Sequence, residues 1–373
     1  MVSFFKKLLT KKTQGIGLEI TPERLNVVQI AKQKQNYKLV KCCSSDIPEG
    51  IFEEGKIVDS VALAELIQEV LKENKITSKR VATAVPMRES IIRIIPIPSE
   101  LDDQELRNLV LNHEASLYLP YPREEVDLDY QKLGYFQDED GIEKVQVLLV
   151  ATRREITDAY METFQQAGLQ VDVLEINSFA LIRTIRDQLR QFSSNEATVI
   201  VDIEFDNTEI AIVVDGVPQF SRTVPIGTFQ LQNAISRAMN LPTSRSPEIL
   251  LGMTIPITAF DSLSTNTGTS GAPTNAGMTA LMRVLGELTD ELRRSINFYL
   301  NQSDELEIVQ LLLAGPGGGL AQLDEYFTQR LNVPTTVIDP ITSLNLDTTQ
   351  EIPNAERPGL GTVLGLGLRE VDN

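Results

Sequence analysis

Tryptophan is absent from these 373 residues, histidine occurs once, at His113, and the only cysteines are the neighbours Cys42 and Cys43. A lone histidine leaves no basis for chemistry built on histidine pairs, which disfavours a zinc hydrolase. Adjacent strand residues point to opposite faces, so the two cysteines form neither a disulfide framework nor a Cys-rich metal site, and such usage fits a reducing compartment. No run approaches the eighteen or more apolar residues that a spanning helix needs. Positive charge is scarce as well: 34 Lys and Arg face 52 Asp and Glu, a net charge of −18 that repels phosphate backbones and disfavours nonspecific nucleic-acid binding. The opening MVSFFKKLLTKK interleaves lysines with apolar residues instead of separating a charged from an apolar block, so it is not read as a secretory signal.

What the chain does have is enough apolar content, 42%, for two or more domains. Its strongest internal signal is a weak duplication. The stretch from Gly15 to Val40 reads as a short strand ending in the acid Glu19, a tight turn, a strand Leu25 to Ala31, a polar turn and a strand Tyr37 to Cys42. Residues 198–224 repeat this: strand Val199 to Ile203 containing Asp202, strand Glu209 to Val214, an Asp215-Gly216 hairpin turn, and strand Pro218 to Val224. At the offset that superposes Glu19 on Asp202, Val27 falls on Ile210 and Ile30 on Val213, which implies two similar halves, each opening with a β-meander.

Elsewhere the apolar period changes from 2 to 3.6. Helices are expected over 60–73, over 102–117 with Leu106, Leu109, Val110, His113 and Leu117 on one side, over 153–167, and over 281–300. Strands at 81–85, 91–97, 145–151, 171–176, 309–315 and 335–339 lie among them, giving an α/β class. The segment 261–277, rich in Ser, Thr, Asn, Gly and Pro, reads as a mobile surface loop. Asp138, Glu139 and Asp140 before Gly141 read as a solvated hairpin tip. Placed on an apolar side, His113 reads as a core or interface residue rather than a catalytic one. In the tail, Phe4, Phe5, Leu8 and Leu9 against Lys6, Lys7, Lys11 and Lys12 form a basic amphipathic patch suited to an anionic membrane surface, with a frayed terminus as the equal alternative.

Three turns are candidates for a nucleotide site: Glu19 to Arg24, Asp202 to Thr208, and the glycine turn 314–320, where a strand gives way to a helix expected over about 320–331. A glycine-rich turn without a ligand is an equal reading. No G-x-x-x-x-G-K-[ST] occurs and no G-x-G-x-x-G sits between strand and helix, so neither a P-loop nor a Rossmann protein is indicated.

Two meanders with an acid on each first strand and a late glycine turn resemble the actin and sugar-kinase superfamily. More closely, the chain resembles the type IV pilus assembly PilM family, related to the cell-division protein FtsA. The carrying stretches are GLEITPERLNVVQI, ELRNLVLNHEASLYLPYPREEVDLDYQKLG, GELTDELRRSINFY, LLLAGPGGGLAQLDEYF and GLGTVLGLGLR. This resemblance implies an actin-like (ribonuclease-H-like duplicated) fold with an FtsA/PilM-type inserted subdomain. By it, residues 13–86 and 152–194 are subdomain 1A, 87–151 the inserted subdomain 1C, 195–236 and 302–373 subdomain 2A, and 237–301 subdomain 2B, behind a tail of 1–12. It implies ATP with Mg at Glu19, Thr21, Asp202, Gly315, Gly317, Gly318 and Gly319. It also implies a cytoplasmic adapter at the inner face of the inner membrane, linking the membrane platform to the motor ATPases. Its partner would be a PilN-type N-terminal cytoplasmic peptide, bound near Leu109, His113, Tyr118, Leu119 and Tyr121. The rival readings are an ATPase or small-molecule kinase and an FtsA-like filament former.

The chain departs from that pattern where phosphates would lie. Thr21-Pro22-Glu23 and Asn26 replace a glycine, small hydroxyl residues and a lysine in the first loop, Glu204 replaces a glycine in the second, and Gly319 stands at the adenosine-loop lysine. Added carboxylates beside a triphosphate cost binding energy unless a divalent cation lies between them, so inefficient or absent ATP hydrolysis is expected.

Overall fold

The computed structural model describes residues 15–33, 36–256, 276–302 and 306–372. The tail residues Phe4, Phe5, Lys6, Lys7, Lys11 and Lys12, and all but the last two residues of the expected loop 261–277, lie outside the described residues. The strands are β1 Ile16–Ile20, β2 Arg24–Gln33, β3 Asn36–Asp46, β4 Phe52–Glu53, β5 Lys56–Ile57, β6 Arg80–Val85, β7 Ser90–Pro98, β8 Val126–Gln137, β9 Glu143–Arg153, β10 Gln170–Ile176, β11 Glu196–Ile203, β12 Thr208–Val214, β13 Val217–Val224, β14 Glu307–Ala314 and β15 Thr335–Val337. The chain divides into two compact units, one of Met1–Ala180 with Asp347–Thr349 and Val363–Asn373, the other of Leu181–Leu346 with Gln350–Thr362.

Each unit is built on one five-stranded sheet, and the two sheets have the same order. In unit 1 it is β10-β6-β1-β2-β3, with β1-β2-β3 an antiparallel meander and β6 and β10 parallel on the other side. In unit 2 it is β13-β12-β11-β14-β15, again a meander beside two parallel strands. Glu19 faces Asn26 across its meander and Asp202 faces Glu209 across the other, so the two acids hold equivalent places. Strand β11 is buried on both faces, with Val199 and Val201 on one side packing with Leu285, Leu288 and Phe327, and Ile200 on the other packing with Ile185 and Leu312. That two-sided burial explains its unbroken apolar run.

Helix Ser60–Glu73 matches its expected span because Asp59 caps it, accepting from the Ala62 N–H at 2.9 Å, and Leu63, Ala64, Ile67, Val70 and Leu71 are buried. Val61, counted in the apolar stripe, is exposed. Helix Ala276–Leu300 begins five residues before its expected start and takes over the last two residues of the segment read as a loop. Gly277 is buried there and Met278 packs against the core, so the Leu281–Met282 stripe continues one turn further back. Residues Val363–Asn373 fall in unit 1, although the sequence boundaries placed 302–373 with the second half. The reason is close backbone contact: a Cβ at Gly17 would sit 2.3 Å from the Gly367 backbone nitrogen, and one at Gly365 would sit 1.9 Å from the Ala180 carbonyl.

The segment 87–151 forms a three-stranded antiparallel sheet, β7-β9-β8, with one helical segment laid on one face. Asp102 and Glu105 make a reciprocal capping box at the start of helix Asp103–Leu109. A π turn over Val110–Glu114 follows, and the helix resumes as Ala115–Tyr118. One extra residue in a turn rotates everything after it by about 100°. The buried stripe is therefore Leu106, Val110 and Ala115, packed on Ile95, Ile97, Val145, Val147 and Leu149. His113 is exposed and Leu117 is 74% exposed, which corrects the expectation that both share the apolar side.

Candidate functional site

Two glycine-poor turns and one glycine-rich turn hold the residues expected to meet a triphosphate. In the first loop, Glu19 is 7% exposed and accepts from Asn26 Nδ2 at 3.0 Å, while Asn26 Oδ1 accepts from Ser44 Oγ at 2.7 Å. The Thr21 N–H donates to the Arg24 carbonyl at 2.9 Å and the Arg24 N–H to Thr21 Oγ1 at 3.0 Å. Pro22 has no N–H to offer, so this turn is closed on itself.

In the second loop Asp202 is 4% exposed, and burial pushes its carboxyl up to about 6, partly offset by a hydrogen bond with the Glu204 side chain. The N-terminus of helix Thr228–Ala238 is of the kind that binds anions. Here its donors are spent internally: the Thr228 N–H reaches the Glu204 carbonyl at 2.9 Å, Phe229 N–H the Phe205 carbonyl at 2.8 Å, and Gly227 N–H the Gln230 Oε1 at 2.8 Å. A Cβ at Gly227 would lie 2.4 Å from the Phe205 carbonyl oxygen, so the loop itself fills the space before the helix. Phe205 stacks near Phe229 at 4.9 Å and lies under Arg245.

The third turn needs its glycines for packing. Gly315 has φ +74°, and its Cβ would meet Asp202 Oδ1 and the Ile203 carbonyl at 2.5 Å. A Cβ at Gly317 would strike the Ile203 side chain and one at Gly319 the Ala355 carbonyl, while Gly318 is buried. In the first two turns these backbone donors are used within the chain, and in the third the glycines pack against Asp202, Ile203 and Ala355. No group of three or more metal-ligating side chains occurs among the described residues.

The turn after the helical segment presents a different picture. Beyond helix Ala115–Tyr118 lies a cleft of about 100 Å³ whose apolar lining includes Ile91, Ala151 and Val126 of the β7-β9-β8 sheet. Ile91 and Ala151 are register partners across β7 and β9, and Val126 opens β8 opposite Arg153. Pro120 and Tyr121, the latter 39% exposed, form one wall. Arg153 forms the other: its Nη2 pairs with Glu89 Oε2 at 2.8 Å, its Nη1 with Glu155 Oε1 at 2.6 Å, and its guanidinium lies 5.7 Å from the centre of the Tyr121 ring. Arg88, Ser90 and Thr152 complete the lining.

The wall is anchored through the π turn. A π turn leaves a helix carbonyl without its usual partner, and Arg123 supplies one, donating Nε to the Leu111 carbonyl and Nη1 to the Val126 carbonyl, both at 3.0 Å. In the core of unit 1 the Tyr160 ring is fully buried, and its hydroxyl has no hydrogen-bond partner among the described residues.

Of the residues expected to bind a partner, Tyr121 lines the cleft and Tyr118 is exposed on the preceding turn. Leu109 and Leu119 instead pack against the core beneath the helix, and His113 lies away from that core. Arg88, Glu89, Ile91, Val126, Ala151 and Arg153 were missed, since only the β7-β9-β8 register brings these separated residues together.

A sequence profile of the family described as Type IV pilus assembly protein PilM matches residues 17–250 and 261–371. Among solved structures, a PilM-PilN type IV pilus biogenesis complex contains a chain 26% identical, with TM-score 0.79 over 96% of this chain and 99% of that one. The ethanolamine utilization protein EutJ from Carboxydothermus hydrogenoformans is similar at 14% identity and TM-score 0.50, over 95% and 89%. An archaeal actin homologue in complex with ADP is a more distant likeness, at 13% identity and TM-score 0.45 over 94% and 97%. The fold is actin-like, and the chain belongs to the PilM family of type IV pilus assembly proteins.

Proposed function

We propose that this chain works in type IV pilus assembly as a non-catalytic actin-like adapter that holds the N-terminal cytoplasmic segment of a PilN-type partner in the cleft beside Tyr121. The observation that carries this reading is the cleft: an apolar lining with room for one branched side chain, a proline and tyrosine wall, and an arginine fixed by two carboxylates. Such a site suits an extended peptide that inserts an apolar anchor and leaves its backbone polar groups at the rim. The 26% identical structural relative, solved as a complex with PilN, supports the choice of partner. The adapter would stand at the cytoplasmic face of the inner membrane, between the membrane platform and the motor ATPases. No helix among the described residues is long and apolar enough to cross a membrane.

The spent donors of both acidic loops support the adapter over an ATPase or kinase, which would need free backbone N–H groups around its phosphates. Titrating a synthetic PilN N-terminal peptide into the purified chain tests the reading. Tyr121→Ala is expected to weaken binding by about 1–3 kcal/mol with little change in Tm, because the ring is partly exposed and lies at the cleft wall. Unchanged affinity in the folded variant would place the partner elsewhere.

A further inference from the structure

Residues 1–12 form a basic tail ahead of β1. Its sequence, MVSFFKKLLTKK, carries four lysines and four large apolar residues ahead of a chain whose net charge is −18. We propose that this N-terminal segment of the chain docks in the Tyr121 cleft as an internal competitor of the partner peptide, which rests on the reading that the cleft takes a short peptide.

Charge favours this occupant. Residues 87–151 hold six Lys and Arg against fourteen Asp and Glu. Two of these acids, Glu124 and Glu125, come three and four residues after Tyr121 of the wall, are exposed, and make no ion pair among the described residues. Arg123, between them and Pro122, donates to two backbone carbonyls and forms an ion pair with neither, so it offsets one of the two charges without capping them. Apolar character favours it as well. The apolar lining and the Tyr121 ring suit a phenylalanine or leucine, and lysines two or three positions away would reach the acidic rim.

Reach is sufficient. Ile16 is the register partner of Val81, and the chain runs from Val81 along β6 to Arg88 at the cleft. Seven residues at ~3.3–3.6 Å each, plus one ~4.8 Å step between strands, put the cleft within about 30 Å of the start of β1. Residues 1–14 can span up to about 50 Å on the same scale. Tethering of this kind gives an effective concentration on the order of millimolar, so even a weak contact competes. An anionic membrane, the other surface that a basic amphipathic segment fits, would have to approach a body of the same sign of charge.

The test uses two probes against the full chain and a chain lacking residues 1–12: a fluorescent PilN N-terminal peptide, and a fluorescent MVSFFKKLLTKK peptide added in trans. The expected results are a roughly three- to tenfold tighter PilN peptide after the deletion, and binding of the tail peptide to the shortened chain that Tyr121→Ala weakens. Phe4→Ser with Phe5→Ser in the full chain should reproduce the deletion and guards against a loss of folding. If the deletion leaves PilN-peptide affinity unchanged and the tail peptide does not bind, the tail docks elsewhere while the cleft reading stands. Tail-peptide binding that depends on Tyr121 with no PilN-peptide binding would keep this proposal and remove the partner. Recovery of the full chain on phosphatidylserine vesicles, lost on deletion with no change at the cleft, would overturn the proposal in favour of the membrane.

Discussion

Replacing Asp202 by Asn examines whether the second loop is closed, because the change removes a charge and keeps the shape. Burial raises the carboxyl from 3.8 to about 6, with a hydrogen bond from the Glu204 pair opposing part of the shift. A group whose folded value lies above its unfolded one favours the folded state below the unfolded value, and that contribution is lost as pH rises through the folded value. Between about pH 4 and pH 6, unit 2 should therefore lose stability. About two units at 1.36 kcal/mol each set an upper bound of about 3 kcal/mol. Asparagine resembles the protonated acid and can donate to Glu204, so Asp202→Asn should match the parent near pH 4 and exceed it by about 1–3 kcal/mol at pH 7.5. For a unit of this size that is a rise of about 2–4 °C in Tm per kcal/mol. Calorimetry from pH 4 to 8 measures it. A variant less stable than the parent at pH 7.5, or one with the parent's pH slope, would mean that Asp202 is ionised and compensated, as a cation-binding acid would be.

Gly315→Ala should destabilise unit 2 by at least about 2 kcal/mol in denaturant titrations, since it combines a φ of +74° with contacts at 2.5 Å to Asp202 and Ile203. Tyr160→Phe removes a buried hydroxyl that has no partner among the described residues, and is expected to be neutral or to raise stability by up to about 1 kcal/mol. A loss above about 1 kcal/mol in the same titration would reveal a partner such as a buried water.

Much of the fold was legible because meander strands and amphipathic helices write their burial into a period. The pairing of Glu19 with Asp202 across the duplication followed from period-2 segments ending in acids, and helix Ser60–Glu73 from its stripe and its Asp59 cap. The π turn was not legible: a single inserted residue leaves Leu109, Val110, His113 and Leu117 looking like one face, while Val110 and Ala115 are the residues buried. Glycines at 315–319 read the same whether a ligand or the chain's own Asp202 and Ile203 lies against them. Tyr121 stands in a turn that its prolines mark in the sequence, but Arg153 and Glu89 are joined only through the pairing of β7 with β9, which no local pattern reports.

The most direct measurement is hydrogen exchange on the full chain with and without a saturating PilN N-terminal peptide. Exchange is expected to slow in 88–91, 118–126 and 150–153, the segments that line the cleft, and to stay unchanged at 20–24 and 203–208. Protection concentrated in the two acidic loops, with none around Tyr121, would contradict it.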